Sequence, residues 1–200
     1  MVGGSERRRT SVVGLKNVFF LLWIALTCFG CGEGSSSSVD PVQEYPVGPY
    51  GLEVGDVVEN VTLETHDGDA LSFANVRATG ASAMVIFNTA GWCARCAECM
   101  PELMAIHDRF AARGLVTMVS ILQSRQYGPA SVRDAAYFRR AHELGIPVLA
   151  DKDAVLEHYF PRLSLPMVMI VDLDTMTLLS AEMMFDPEGT VDVLGTHFGD

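Results

Sequence analysis

The chain has 200 residues, 49% of them apolar, enough to bury one substantial core and to exclude a wholly disordered protein. Asp and Glu number 25 against 14 Lys and Arg, and residues 31–200 carry 24 acidic side chains against 10 basic. A body that acidic repels phosphate backbones, whose binding rests on Lys and Arg, so nucleic-acid binding is excluded.

Residues 1–31 read as a processed export segment. Arg7, Arg8, Arg9 and Lys16 form its positive start, and Val18 to Leu26 is an unbroken apolar run. That run falls short of the ~20 residues that span a bilayer comfortably, although a short membrane anchor is the competing reading. Gly30-Cys31, followed by Gly-Glu-Gly and the serines 35–38, resembles a bacterial lipoprotein signal. The resemblance implies that Cys31 becomes the lipidated first residue, with Thr27-Cys28 as a second cleavage option. The arginine pair hints at twin-arginine export, but Thr10-Ser11-Val12 matches that signal poorly. Each reading puts the body outside the cytoplasm. Residues 32–49, with Pro41, Pro46 and Pro49, are expected to form a flexible tether.

The domain is expected over residues 50–200. Val57 to Leu63 is β-rich, and His66-Asp67-Gly68-Asp69 signals a hairpin before Leu71-Ser72-Phe73. Ala83 to Phe87 has the length of a buried strand. A helical pattern then runs from Cys93 to about Arg113, closed by Gly114. Leu115 to Leu122 is strand-like, Ser131 to Leu144 helical with Gly145 as its stop, and Ile146 to Ala150 again β-like. A short helix is expected over 154–160, two strands over 167–171 and 176–184 around the turn 172–175, and a weak helical tail from Gly189. Strands alternating with helices imply an α/β fold, a central mixed sheet flanked by helices, with an extra N-terminal β-hairpin.

Cys93, Cys96 and Cys99 carry the chemistry. The C-x-x-C of Cys93 and Cys96 directly follows a buried strand and opens a helix. Free N–H groups and the macrodipole at a helix start lower a thiol pKa, and Arg95 adds positive charge beside it. The thiolate attacks in disulfide exchange, so Cys93 is the expected nucleophile and Cys96, a turn further in, the resolving partner. Cys99 lies about 240° round the helix from Cys93, which favours a buried small apolar residue over a regulatory or metal-binding one. The Cys-x-x-Cys-x-x-Cys spacing resembles iron–sulfur patterns, but Met100-Pro101 follows where a fourth cysteine would be needed. Zinc would need a distant ligand; His107 sits about 12 Å along the same helix and cannot close the site, leaving His158. No cofactor is called for.

The order strand-Asn88-Thr89-Ala90-Gly91-Trp92-Cys93-x-x-Cys96-helix resembles the thioredoxin superfamily. The run from Trp92 to Leu103 is similar to its membrane-tethered TlpA/ResA-like branch, a redoxin domain of the AhpC/TSA type. Pro101 matches that branch's kink proline, and Leu165-Pro166 its cis-proline loop. The resemblance implies a thioredoxin-like fold and a loop at Leu165 and Pro166 that, with Trp92, offers contacts to substrate. Four features depart from the pattern. Cys99 stands where the branch carries Glu, and Phe87 where thioredoxin has a buried acid. Ala94-Arg95 replaces a proline-containing pair, and Ser164-Leu165 replaces Gly-Val.

The resemblance implies a periplasm-facing, lipid-anchored thiol–disulfide oxidoreductase of the cell envelope. Its partners would be protein dithiols or disulfides, and as a reductant it would need a membrane electron-donor protein. Two alternatives stay open. One is a peroxiredoxin-like thiol peroxidase, although Thr89 precedes Cys93 by four residues rather than three. The other is a copper or zinc carrier using Cys93, Cys96 and Cys99.

Overall fold

The computed structural model describes residues 44–162 and 164–200. The export segment, the lipidation candidate Cys31 and most of the tether lie outside the described residues. Residues 44–49, expected within the tether, are instead docked on the domain. The Tyr45 hydroxyl donates to the Val58 carbonyl at 2.9 Å, and the Glu44 carbonyl accepts from the Arg77 guanidinium.

The strands are β1 (Thr62–Thr65), β2 (Ala70–Ser72), β3 (Ala83–Ala90), β4 (Leu115–Gln123), β5 (Val148–Ala150), β6 (Met167–Asp172) and β7 (Thr177–Met183). They form one mixed sheet in the order β2-β1-β5-β4-β3-β6-β7. The centre, β3 with β4 and β4 with β5, is parallel; the other pairs are antiparallel. The expected N-terminal hairpin is present as β1 and β2, pinned at one edge. At the other edge, residues 55–58 lie along β7, with Val58 N–H donating to Met176 O at 2.9 Å and Gly55 N–H to Leu178 O at 2.8 Å. That contact covers part of an edge strand's open backbone.

All eight residues of β3 are buried, because both faces of the sheet are covered. Val85 and Phe87 face one apolar cluster with α2 (Ala94–Glu98), α3 (Met100–Phe110), α4 (Val132–Ala141) and α5 (Pro187–Phe198). Met84 and Ile86 face the other, with Phe73 and Val76 of α1 (Phe73–Arg77) and Leu156 and Tyr159 of a 3-10 turn.

Local chemistry explains where the elements differ from expectation. Phe73 opens a short helix rather than closing a strand, because Ser72 and Asn75 form a reciprocal capping box. The long helix from Cys93 is divided: α2 ends at Glu98, Cys99 is its C-cap, and Pro101 lies in the first turn of α3. A 3-10 turn over Ala111–Arg113 then leads to Gly114, whose φ of 99° supplies the left-handed stop that was expected there. α4 starts at the expected Ser131 cap but stops at Ala141, and Glu143, not Gly145, takes a positive φ of 52°. The 155–159 segment is 3-10 rather than α. α5 begins at Pro187 because the Asp186 carboxylate accepts the Glu188 N–H at 3.1 Å.

Arg77 fastens the N-terminal approach to the sheet. It is 7% exposed, with Nε donating to Leu173 O at 2.9 Å and Nη2 to Asp174 O at 2.7 Å, besides Glu44 O. Charge-assisted bonds of this kind matter chiefly because breaking them leaves buried groups unpaired. Arg77→Met should therefore cost about 2–4 kcal/mol in urea unfolding and expose residues 44–49 to protease.

Candidate functional site

Parallel pairing of β3 with β4 sends the loops after both strands to the same end of the sheet. Loops at the carboxyl ends of parallel strands are where α/β sheets build sites. The two loops here are in contact. Gly91 N–H donates to Gln123 O at 2.7 Å, and a Cβ on Gly91 would lie 2.9 Å from the Arg125 backbone nitrogen. Trp92, 38% exposed, donates its indole N–H to Gln123 Oε1 at 2.9 Å and stacks on Tyr127 at 5.2 Å.

Cys93 follows as the N-cap of α2, its own N–H held by Ala90 O at 3.0 Å. It is disulfide-bonded to Cys96, with Cα atoms 5.3 Å apart. The Cys96 N–H donates to Cys93 Sγ at 3.2 Å, so a backbone donor is already aimed at that sulfur. Access is asymmetric: Cys93 is 8% exposed and Cys96 is not exposed at all. Only Cys93 borders open space. It lines a cleft of about 450 Å³ whose far wall is the loop after β4 and α4, with Arg125, Tyr137, Phe138 and His142.

Leu165-Pro166 is a cis peptide, and Met167, the next residue, pairs with Asn88 of β3. The register thus puts Pro166 at the end of β3 from which the cysteines leave. Leu165 packs against the apolar cluster that contains both cysteines, and Met184 N–H donates to Pro166 O at 2.7 Å.

A scan of family models matches residues 54–193 to the AhpC/TSA family. The chain belongs to that family. No curated protein matched the chain. Among solved structures it is similar to a Chlorobium tepidum protein named as a thiol:disulfide interchange protein DsbE, with 17% identity and a TM-score of 0.62, covering 74% of this chain and all of that one. It is also similar to peroxidoxin BcpB from Mycobacterium tuberculosis, with 16% identity, a TM-score of 0.58, and 74% and 96% of the two chains covered. A thiol:disulfide interchange protein from Bacteroides sp. aligns at 14% identity and a TM-score of 0.59, over 74% of this chain and 91% of that one. At these identities the likeness is one of fold, and the fold is thioredoxin-like.

The structure gathers Trp92, Cys93, Cys96, Leu165 and Pro166 at one end of the sheet. Arg95 points elsewhere: its guanidinium is 3.5 Å from the Glu98 carboxylate, and both side chains are largely exposed. Phe87 is fully buried and meets Phe185 edge-on at 5.3 Å, so an aromatic core fills that position. Cys99 is free, buried, and donates its thiol to Arg95 O at 3.3 Å. Burial pushes its pKa up; Arg95 opposes the rise, and Glu102 and Glu98 add to it. No three His, Cys, Asp or Glu side chains among the described residues are grouped as metal ligands. Sequence reasoning passed over Gln123, Arg125, Tyr127 and Tyr137. Their one available signal was position, on the crossover that follows the strand next to β3.

Two outcomes follow from this geometry. Gly91→Ala should lower stability by about 1–3 kcal/mol in a chemical melt, because its methyl meets backbone that has nowhere to move. Cys99, protonated at neutral pH and enclosed, should resist iodoacetamide at pH 8 in the native protein and react promptly once it is unfolded.

Proposed function

We propose that the protein is an extracytoplasmic thiol–disulfide oxidoreductase that reduces protein disulfides. The observation that carries the reading is the Cys93–Cys96 disulfide with one sulfur at a cleft and the other enclosed. In the reduced protein the Cys93 thiolate, supported by the Cys96 N–H, attacks one sulfur of a substrate disulfide. A mixed disulfide forms and the substrate's other sulfur leaves as a thiolate. Cys96, deprotonated, then attacks the Cys93 sulfur and expels the second substrate thiolate, leaving the Cys93–Cys96 bond. Two electrons pass to the substrate, and its two sulfurs take up the protons given up by Cys93 and Cys96.

Trp92, Leu165 and Pro166 would hold the substrate strand beside Cys93. The Arg95 charge would favour the thiolate from a distance, subordinate to the N–H that contacts the sulfur. Lipidation of Cys31 would hold the domain at the envelope membrane. Recharging the dithiol there requires a membrane electron-donor protein that itself presents a dithiol.

The test equilibrates the protein in glutathione buffers of graded potential, then alkylates and weighs it. Cys93 and Cys96 should titrate together, with Cys99 outside the couple. A midpoint below the ~−180 mV typical of isomerases supports the reductant, whereas one near the ~−120 mV of strong oxidants reverses the direction. Cys93→Ser should abolish exchange, and Cys96→Ser should trap mixed disulfides.

A second reading, a thiol peroxidase, is favoured by the family match and by the likeness to the Mycobacterium tuberculosis peroxidoxin. Against it, the buried Thr89 hydroxyl donates to Ala90 O at 3.4 Å rather than toward Cys93. Peroxide consumption by Cys96→Ser at a rate matching its thiol exchange would restore this reading.

A further inference from the structure

Charge is distributed unevenly around the disulfide. Residues 124–142, which form the loop after β4, α4 and its cap, contain Arg125, Arg133, Arg139 and Arg140 against Asp134 alone. The remainder of residues 31–200 contains 6 basic and 23 acidic side chains. A basic island therefore sits in an acidic protein; Arg125, with Asp134 and Tyr137, lines the cleft that Cys93 opens into, while Arg133, Arg139 and Arg140 lie on α4 outside that lining.

The arginines of this island lack carboxylate partners among the described residues. Arg95, Arg109 and Arg113 each pair with a carboxylate, on Glu98 or Asp200. None of the four on the island has an ion-pair partner among the described residues. The one carboxylate within the island, Asp134, lines the cleft and accepts from both the N–H and the hydroxyl of Ser131 in the α4 capping box; its single charge stands against four guanidinium groups. Burial lowers the pKa of His142, which lines the cleft, so it adds no charge at neutral pH. Glu143 stands just beyond the cap and, like Arg133, Arg139 and Arg140, outside the cleft lining.

The arginines are arranged around aromatic rings. The Arg125 guanidinium donates to the Tyr137 hydroxyl at 2.8 Å and lies 5.3 Å from that ring's centre. Arg133 and Arg140, four residues before and three after Tyr137 on α4, are its neighbours on the helix surface, and both are exposed. Tyr137 is itself 47% exposed, Tyr127 69%, and Trp92 adds a third accessible ring. Exposed aromatics interleaved with arginine are the composition of a binding hot spot rather than of ordinary solvated surface.

We propose that this wall recognises the substrate, by drawing in a polypeptide that carries Asp or Glu within a few residues of its disulfide-bonded cysteine. The proposal rests on the oxidoreductase reading above and adds the substrate class. Arg125 at the cleft, with the exposed Arg133 and Arg140 on α4 beyond it, attracts the acidic flank and orients its sulfur toward Cys93, while the acidic remainder of the domain repels it elsewhere. Such complementarity raises association rates by tenfold or more at low salt and is screened as salt is added.

The test uses the full chain in detergent, reduced, with three synthetic peptide disulfides whose cysteine is flanked by Glu, by Ser or by Lys. The second-order rate of peptide thiol release is measured at 20 and 300 mM salt. The Glu peptide should react about tenfold faster than the Lys peptide at low salt, with the gap closing at high salt. Arg125→Gln should bring the Glu-to-Lys ratio toward one, and Arg125→Lys should preserve it. Equal rates for the three peptides, or a ratio untouched by Arg125→Gln, overturns the proposal. So does a preference for oxidised glutathione that the Glu peptide does not share. A protein whose cysteines form no couple in glutathione buffers loses the oxidoreductase reading as well; one with a normal couple and no peptide preference loses only this inference.

Discussion

The parallel pairing of β3 with β4 is the constraint from which the reactive end of the molecule follows. Because the two strands point the same way, their loops emerge side by side, and Gly91 is small enough to let them touch at Arg125. That contact seats Trp92 against Gln123 and Tyr127, fixes where Cys93 begins its helix, and sets Cys93 opposite α4. An antiparallel pair would have sent the second loop to the far end and left Cys93 without a facing wall. The strength of the pairing comes from burial on both sides, since apolar clusters flank β3 and β4 on each face.

Burial also sets the two cysteines apart. Cys96 lies wholly within the apolar cluster that includes Phe87, Leu103 and Phe110. Cys93 lies at the rim, with a backbone N–H on its sulfur and open cleft beyond. Two chemically identical side chains three residues apart are thereby made unequal by depth alone. The helix divides at Cys99: α2, capped by Cys93, carries Cys96, while α3 packs separately through Met100, Leu103 and Ile106.

Much of this was legible in the sequence, for identifiable reasons. The apolar run at 83–87 reads as a buried strand because neither face needs polar residues, and the Asp67-Gly68 turn marks a hairpin by its backbone requirement alone. The placement of Cys93 and Cys96 after that strand put the C-x-x-C at the end of the sheet where the disulfide lies. The features that escaped depend on neighbours distant in sequence. Glu143 rather than Gly145 ends the α4 turn, a choice that side-chain preference does not make. Residues 44–49 look like linker by composition, yet Arg77 holds Glu44 from 33 positions away. Arg125 and Tyr137 look like ordinary surface residues until the β3–β4 register carries them to the cysteines.

The filling of position 87 bears on how protons move in the proposed reaction. Phe87 and Phe185 occupy the core on the cysteine side of β3, so no carboxylate approaches from that position. Asp151 is the only carboxylate residue counted as buried among the described residues, and it is engaged elsewhere, accepting from the Val155 and Leu156 N–H groups at 2.9 and 3.0 Å. A buried thiol in apolar surroundings with no internal base holds its proton firmly. The Cys96 proton would have to leave past Cys93, through the cleft, once the mixed disulfide has formed. The leaving substrate thiolate in that cleft is the nearest acceptor the reaction itself supplies. In the proposed reaction, release of the substrate would be coupled to removal of the Cys96 proton, and the apolar wall at Phe87 offers no carboxylate to take it.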